Sequence, residues 1–154
     1  MLAPRRVPTL AATLLAVMIT AGCVDAGRET AHCGPVDPVV TPRTVAPGEE
    51  LRVEVSGVAG EGCEPFLPDG ARYSVEITSE VHTGDTDGGP YSAFLGDLNP
   101  GDDESAGSSF QVPADFPAGR AEVSVNLEGA RTPCETDPTM SCPKDPFAPV
   151  EIVG

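Results

Sequence analysis

The chain has 154 residues, with 24 Asp and Glu against nine Lys and Arg and a formal charge of −15. That balance lacks the basic footprint that displaces counterions from a phosphate backbone, which argues against nucleic acid as a direct partner, and an anionic membrane surface repels such a domain as well. Gly and Pro supply 17 residues each, but they punctuate short alternating segments, which argues for strands and turns over disorder.

At the N-terminus, Arg5 and Arg6 precede an apolar stretch from Val7 to Ala21 that is short for a membrane span and ends in small residues, the arrangement of an export signal. Ala21-Gly22-Cys23 resembles the lipobox of diacylglyceryl-modified bacterial lipoproteins, although Thr20 stands where an aliphatic residue is commonest and ordinary signal-peptidase release is the alternative. The resemblance implies a signal helix removed at residues 1–22 and a Cys23 that carries the lipid and becomes the new N-terminus. Two acyl chains anchor durably where one is marginal. The protein is then expected at the cell membrane, lipid-anchored on its extracytoplasmic face, with residues 23–32 as a short polar tether and a domain over 33–154. Without residues 1–22, seven basic side chains face 24 acids, a formal charge of −17.

Cysteine count supports the same division. Five cysteines are odd, and assigning Cys23 to lipid leaves Cys33, Cys63, Cys134 and Cys142 for two disulfides in an oxidising compartment. No CxxC spacing occurs and the two histidines, His32 and His82, form no ligand array, so zinc is not expected.

Along the domain, alternation with a period of two marks the strands. Glu50 to Ser56 sets Leu51, Val53 and Val55 on one face. Ala71 to Val81 does the same with Tyr73, Val75, Ile77 and Val81, and Arg120 to Gly129 with Ala121, Val123, Val125 and Leu127. Val39 to Val45, Tyr91 to Leu95, Ser108 to Val112 and Val150 to Val153 complete about seven strands, and no segment shows a helical stripe. An antiparallel two-sheet sandwich follows from that pattern.

Thr41 to Glu49 before an alternating strand, and Pro113 to Gly119 before Arg120, resemble the turns of immunoglobulin-like domains in bacterial surface proteins. The chain departs from the antibody type in having no Trp. It also has no core cysteine on the flanking strands and no tyrosine corner. If the strands at 39–45, 50–56 and 120–129 are the first, second and sixth, all four remaining cysteines fall at one end of the sandwich. Cys33 with Cys63 and Cys134 with Cys142 is then the preferred pairing, with both crossed connectivities open because spacing alone does not fix them.

Two acidic clusters have the oxygen-rich character of a calcium site: Asp85 and Asp87 in one, Asp102, Asp103 and Glu104 in the other. The EF-hand pattern is missing. Enzyme motifs are missing too: no GxSxG, no HExxH, and an SxxK spacing at Ser141 to Lys144 without its companion motifs. His82 has no identifiable nucleophile. The expected function is a non-enzymatic envelope lipoprotein, a binding or structural module whose partners are the membrane through its lipid and an envelope protein or glycan, without nucleic acid and without a cofactor other than calcium. The alternative is a calcium-responsive module in which the ion orders the acidic loops.

Overall fold

The computed structural model describes residues 30–83 and 89–154. The signal segment, Cys23, the first part of the tether, Asp85 and Asp87 lie outside the described residues. Five short strands come first: β1 (Gly34–Pro35), β2 (Val39–Thr41), β3 (Thr44–Val45), β4 (Glu50–Val55) and β5 (Val58–Ala59). The longer strands β6 (Arg72–Thr83), β7 (Pro90–Leu98), β8 (Ala106–Gln111) and β9 (Gly119–Glu128) follow, then a single helical turn, α1 (Pro133–Thr136), and β10 (Phe147–Ile152).

The protein is all-β apart from that turn, as the alternation implied. One sheet has five strands in the order β3-β10-β9-β6-β7, antiparallel except where β3 runs parallel to β10. A second, antiparallel sheet has the order β2-β4-β8, and β1 with β5 forms a small antiparallel ribbon. Buried side chains from both larger sheets form one apolar cluster, including Leu51 and Val53 of β4, Tyr73 and Ile77 of β6, Val123 of β9 and Ile152 of β10. The pleat explains this: in β4 every second residue is buried and the residues between, Glu50, Arg52 and Glu54, face water.

Three sequence expectations change. The segment from Val39 to Val45 is two strands, one in each sheet, separated by a cis Thr41–Pro42 peptide; proline ends the first ladder because it has no N–H to give. The inward face of β6 stops at Ser79, which is 3 % exposed, whereas Val81 is 51 % exposed. Its ladder with β9 ends at Ser79 opposite Ala121, so Val81 has passed the edge of the core. The helical turn α1 stands where no helix was expected, because a single turn leaves no apolar periodicity to read.

Partway along β7 the register shifts, so that Glu76 faces Phe94 while Val75 faces Gly96, and Leu95 is the extra residue of a bulge. Gly96 has φ 150°, and a Cβ there would lie 2.7 Å from the Phe110 ring. The bulge therefore needs a residue without a side chain, and the gap is filled from the other sheet.

Candidate functional site at the stapled end

The segments around all four domain cysteines meet at one end of the sheets. There the chain leading into β1 pairs with the β5–β6 connection: the Cys33 N–H donates to the Glu64 carbonyl at 2.9 Å and the Glu64 N–H to that of Ala31 at 2.8 Å. The His32 N–H donates to the Arg131 carbonyl at 2.7 Å, and His32 Nδ1 donates to the Phe66 carbonyl at 2.8 Å. His32 is thus a tie between three segments. The disulfide Cys33–Cys63 locks the first two together, with Cys33 buried.

The loop from β9 to β10 is closed by the second disulfide, Cys134–Cys142, across eight positions. Its first part is α1, which Thr132 and Glu135 start together: the Thr132 N–H and hydroxyl donate to Glu135 Oε2 at 2.7 and 2.8 Å. These bonds, the backbone one first, hold the Glu135 carboxyl below the ordinary carboxylate range. The signal was present in the sequence, since Thr132-Pro133-Cys134-Glu135 is a capping box with proline at the first helical position. Asp137 then accepts from the Thr139 hydroxyl at 2.6 Å and its N–H at 2.9 Å, which lowers its carboxyl in turn.

Beyond Cys142, Lys144 donates to Glu122 and its ammonium sits 3.9 Å from the centre of the Phe147 ring. This is where the SxxK spacing leads: the lysine is engaged by a carboxylate and an aromatic face, not by Ser141. Asp145 lies with both carboxylate oxygens 2.8 Å from the Asn126 amide, which donates to them when its nitrogen is assigned to that side. Partial burial, then Glu135 and Glu76, push the Asp145 carboxyl above its ordinary value.

Between this loop, the β1–β5 ribbon and the last residues of β9 runs a groove of about 710 Å³. Pro35, Val125, Leu127, Pro133 and Met140 give it an apolar lining, and Glu61, Glu128, Glu135 and Asp145 edge it with acid. A groove of that volume falls within the range of ligand pockets.

Among the described residues, no three or more His, Cys, Asp or Glu side chains converge as metal ligands. Asp103 turns to Ser105, whose hydroxyl donates at 2.6 Å and N–H at 3.2 Å, and these bonds lower its carboxyl. Glu104, at φ 59°, points its carboxylate at the Leu67 N–H, 3.0 Å away, while its carbonyl accepts from the Tyr73 hydroxyl at 2.8 Å. Asp103 thus caps its own turn, while Glu104 ties its loop to Leu67 and to Tyr73 of β6. Asp85 and Asp87, the other expected calcium ligands, fall outside the described residues. Burial, with Glu104 second, pushes the Tyr73 phenol up to about 12. His82 lies near the end of β6.

No protein-family model matches the chain, and no curated protein matches it. Among solved structures it is similar to the alkylpurine DNA glycosylase AlkC of Pseudomonas fluorescens bound to DNA containing an abasic site analog, at 13% identity and a TM-score of 0.41, over 80% of this chain and 31% of that one. Superposition at that level carries no argument about activity. The expected exclusion of nucleic acid is corrected to the extent that it rested on net charge alone. Membrane through a lipid, envelope protein or glycan, and no nucleic acid were expected, whereas the neighbour is a DNA-bound protein. Net charge averages over the whole surface and does not decide what a local patch meets, so charge alone does not exclude nucleic acid.

Proposed function

We propose that this chain is an exported, non-enzymatic module held at the extracytoplasmic face of a membrane by a lipid on Cys23, and that its stapled end is a binding surface. The observation that carries this reading is how the cysteines divide. Two disulfides use Cys33, Cys63, Cys134 and Cys142 and leave Cys23, which follows the small residues at the end of the apolar run. Disulfides persist in oxidising compartments, and a spare thiol on an exported protein needs a use.

The finer fold belongs to the same proposal. A first strand divided between sheets, β2 beside β4 and β3 beside β10, with β8 completing one sheet and β10-β9-β6-β7 the other, supports an immunoglobulin-like sandwich in which β7 replaces the fourth strand of the constant type. Polar groups at the stapled end are committed to caps, ties and ion pairs, which supports binding over turnover. Loops on a rigid scaffold commonly carry recognition.

Intact mass of the protein extracted from native cells tests the reading. The expected species starts at Cys23, carries a diacylglycerol, and exposes four alkylatable thiols only after reduction. A mature chain without lipid, or a Cys23→Ala chain still held in the membrane fraction, overturns it.

A further inference from the structure

The β9 strand is paired unequally on its two sides. Its ladder with β6 continues to Arg72 opposite Glu128, while its ladder with β10 ends at Ser124 opposite Phe147. One more bond, from the Val125 N–H to the Pro146 carbonyl at 2.9 Å, closes that side. Continuing the register would set Asp145, Lys144 and Pro143 against Asn126, Leu127 and Glu128. Pro146 and Pro143 bring no N–H, and the chain turns instead into the disulfide loop. The edge of β9 from Asn126 to Glu128 therefore has no strand hydrogen-bonded to it among the described residues, and the groove runs along it, with β1 on its far side. Backbone groups alternate in direction along an antiparallel strand. Since the Val125 N–H points toward β10, Leu127 aims its N–H and carbonyl the same way, into the groove.

We propose that this groove takes an extended peptide segment bearing Lys or Arg beside apolar residues, laid as a short added strand along Asn126–Glu128. Strand addition supplies main-chain bonds to Leu127, and alternate side chains meet the wall of Leu127 and Met140. Charge selects a cationic segment: four carboxylates edge the groove, and its one lysine is already occupied by Glu122 and Phe147. Asp145 lies in the field of Glu135 and Glu76, which a bound cation relieves. The two disulfides fix the walls beforehand and reduce the ordering cost of binding.

This inference deepens the binding reading of the stapled end and rests on it. Its test is a titration of the full-length protein with a dye-labelled octapeptide of alternating Arg and Leu, read by fluorescence anisotropy, beside versions with Gln or Glu in place of Arg. The Arg peptide is expected to bind, the Gln peptide to bind about tenfold more weakly, and the Glu peptide not to bind up to about 1 mM. Leu127→Pro removes the inward N–H at an edge where proline is tolerated and should weaken the Arg peptide about threefold to tenfold. Where that variant fails to fold, N-methylation of alternate amides in the peptide removes the same bonds and should give the same loss. Asp145→Asn should weaken binding by about threefold. Equal binding of the Arg and Gln peptides, binding indifferent to both N-methylation and Leu127→Pro, no binding at about 1 mM, or displacement of the peptide by a short DNA duplex each overturns the proposal. Lipid on Cys23 with no peptide binding defeats this inference alone, and peptide binding by an unlipidated chain defeats the anchoring alone.

Discussion

The two disulfides should differ in what they contribute, and the difference follows from chain length. Cys33–Cys63 spans 30 positions and Cys134–Cys142 spans eight. By loop-closure entropy the first restricts the unfolded chain by about 3.6 kcal/mol and the second by about 2.5 kcal/mol. Packing widens the gap, because Cys33 is buried against the chain that crosses it while Cys142 is exposed. Paired alanine variants, Cys33→Ala with Cys63→Ala and Cys134→Ala with Cys142→Ala, should therefore lose stability in that order. In a domain of this size about 4 °C of melting temperature goes with each kcal/mol, so the losses correspond to about 14 and about 10 °C. Urea unfolding followed by circular dichroism gives the free energies directly. The dependence on urea should steepen in both variants, more so without Cys33–Cys63, as the unfolded chain expands. A larger loss from the Cys134–Cys142 pair refutes the reasoning, since it would mean the short loop holds native contacts worth more than the long constraint.

Two further outcomes test the core. Tyr73→Phe leaves the Glu104 carbonyl without its hydroxyl partner, and a loss of about 1 kcal/mol is expected in urea unfolding. Because the Tyr73 phenol is raised to about 12 from 10.0, its contribution is present below pH 10 and lost as pH rises toward 12; absorbance at 295 nm in a Tyr91→Phe background, which leaves Tyr73 as the single tyrosine, should show that late ionisation, and a midpoint near 10 would be the contrary result. Gly96→Ala sets a Cβ 2.7 Å from the Phe110 ring at φ 150°, so about 1–3 kcal/mol of strain is expected; Phe110→Ala should make the substitution less costly by relieving the contact, and additive losses would show that no clash exists.

The long strands were legible because a half-buried strand writes its burial into every second residue. Leu51, Val53 and Val55 in β4 and Ala121, Val123 and Val125 in β9 each occupy the face the alternation assigned. Val81 shows the limit of that rule: it continues the pattern of Tyr73, Val75 and Ile77, but the ladder with β9 has ended at Ser79, and periodicity carries no information about where a ladder stops. The bulge at Leu95 was hidden for a related reason, since the ring that Gly96 accommodates beside it, Phe110, comes from the other sheet. Glu104 was read as an oxygen donor for a cation from its neighbours in sequence. Its contacts are 37 and 31 positions away, at Leu67 and Tyr73. At the stapled end the cysteines were read from the sequence, the capping box was written there but passed over, and the open edge of β9 emerged only from comparing two ladders.

That open edge bears on why the second disulfide is placed where it is. An unpaired strand edge is a template for association with other chains, and natural sheets cover, charge or interrupt such edges. Here the prolines at 143 and 146 end the ladder and leave the edge bare, while the loop they belong to is tied back on itself through Cys134–Cys142 and docked through Lys144 to Glu122 on β9. Glu128 at the far end pairs with Arg72, and Asn126 holds Asp145. The edge is thus walled rather than filled: a rigid loop stands over it at groove width, acids guard its mouth, and only a segment that is extended, slender and positively charged meets no penalty on entering. A loop of the same length without the staple could collapse onto Leu127 and close the groove, so the disulfide contributes to the shape of the site as well as to the stability of the fold.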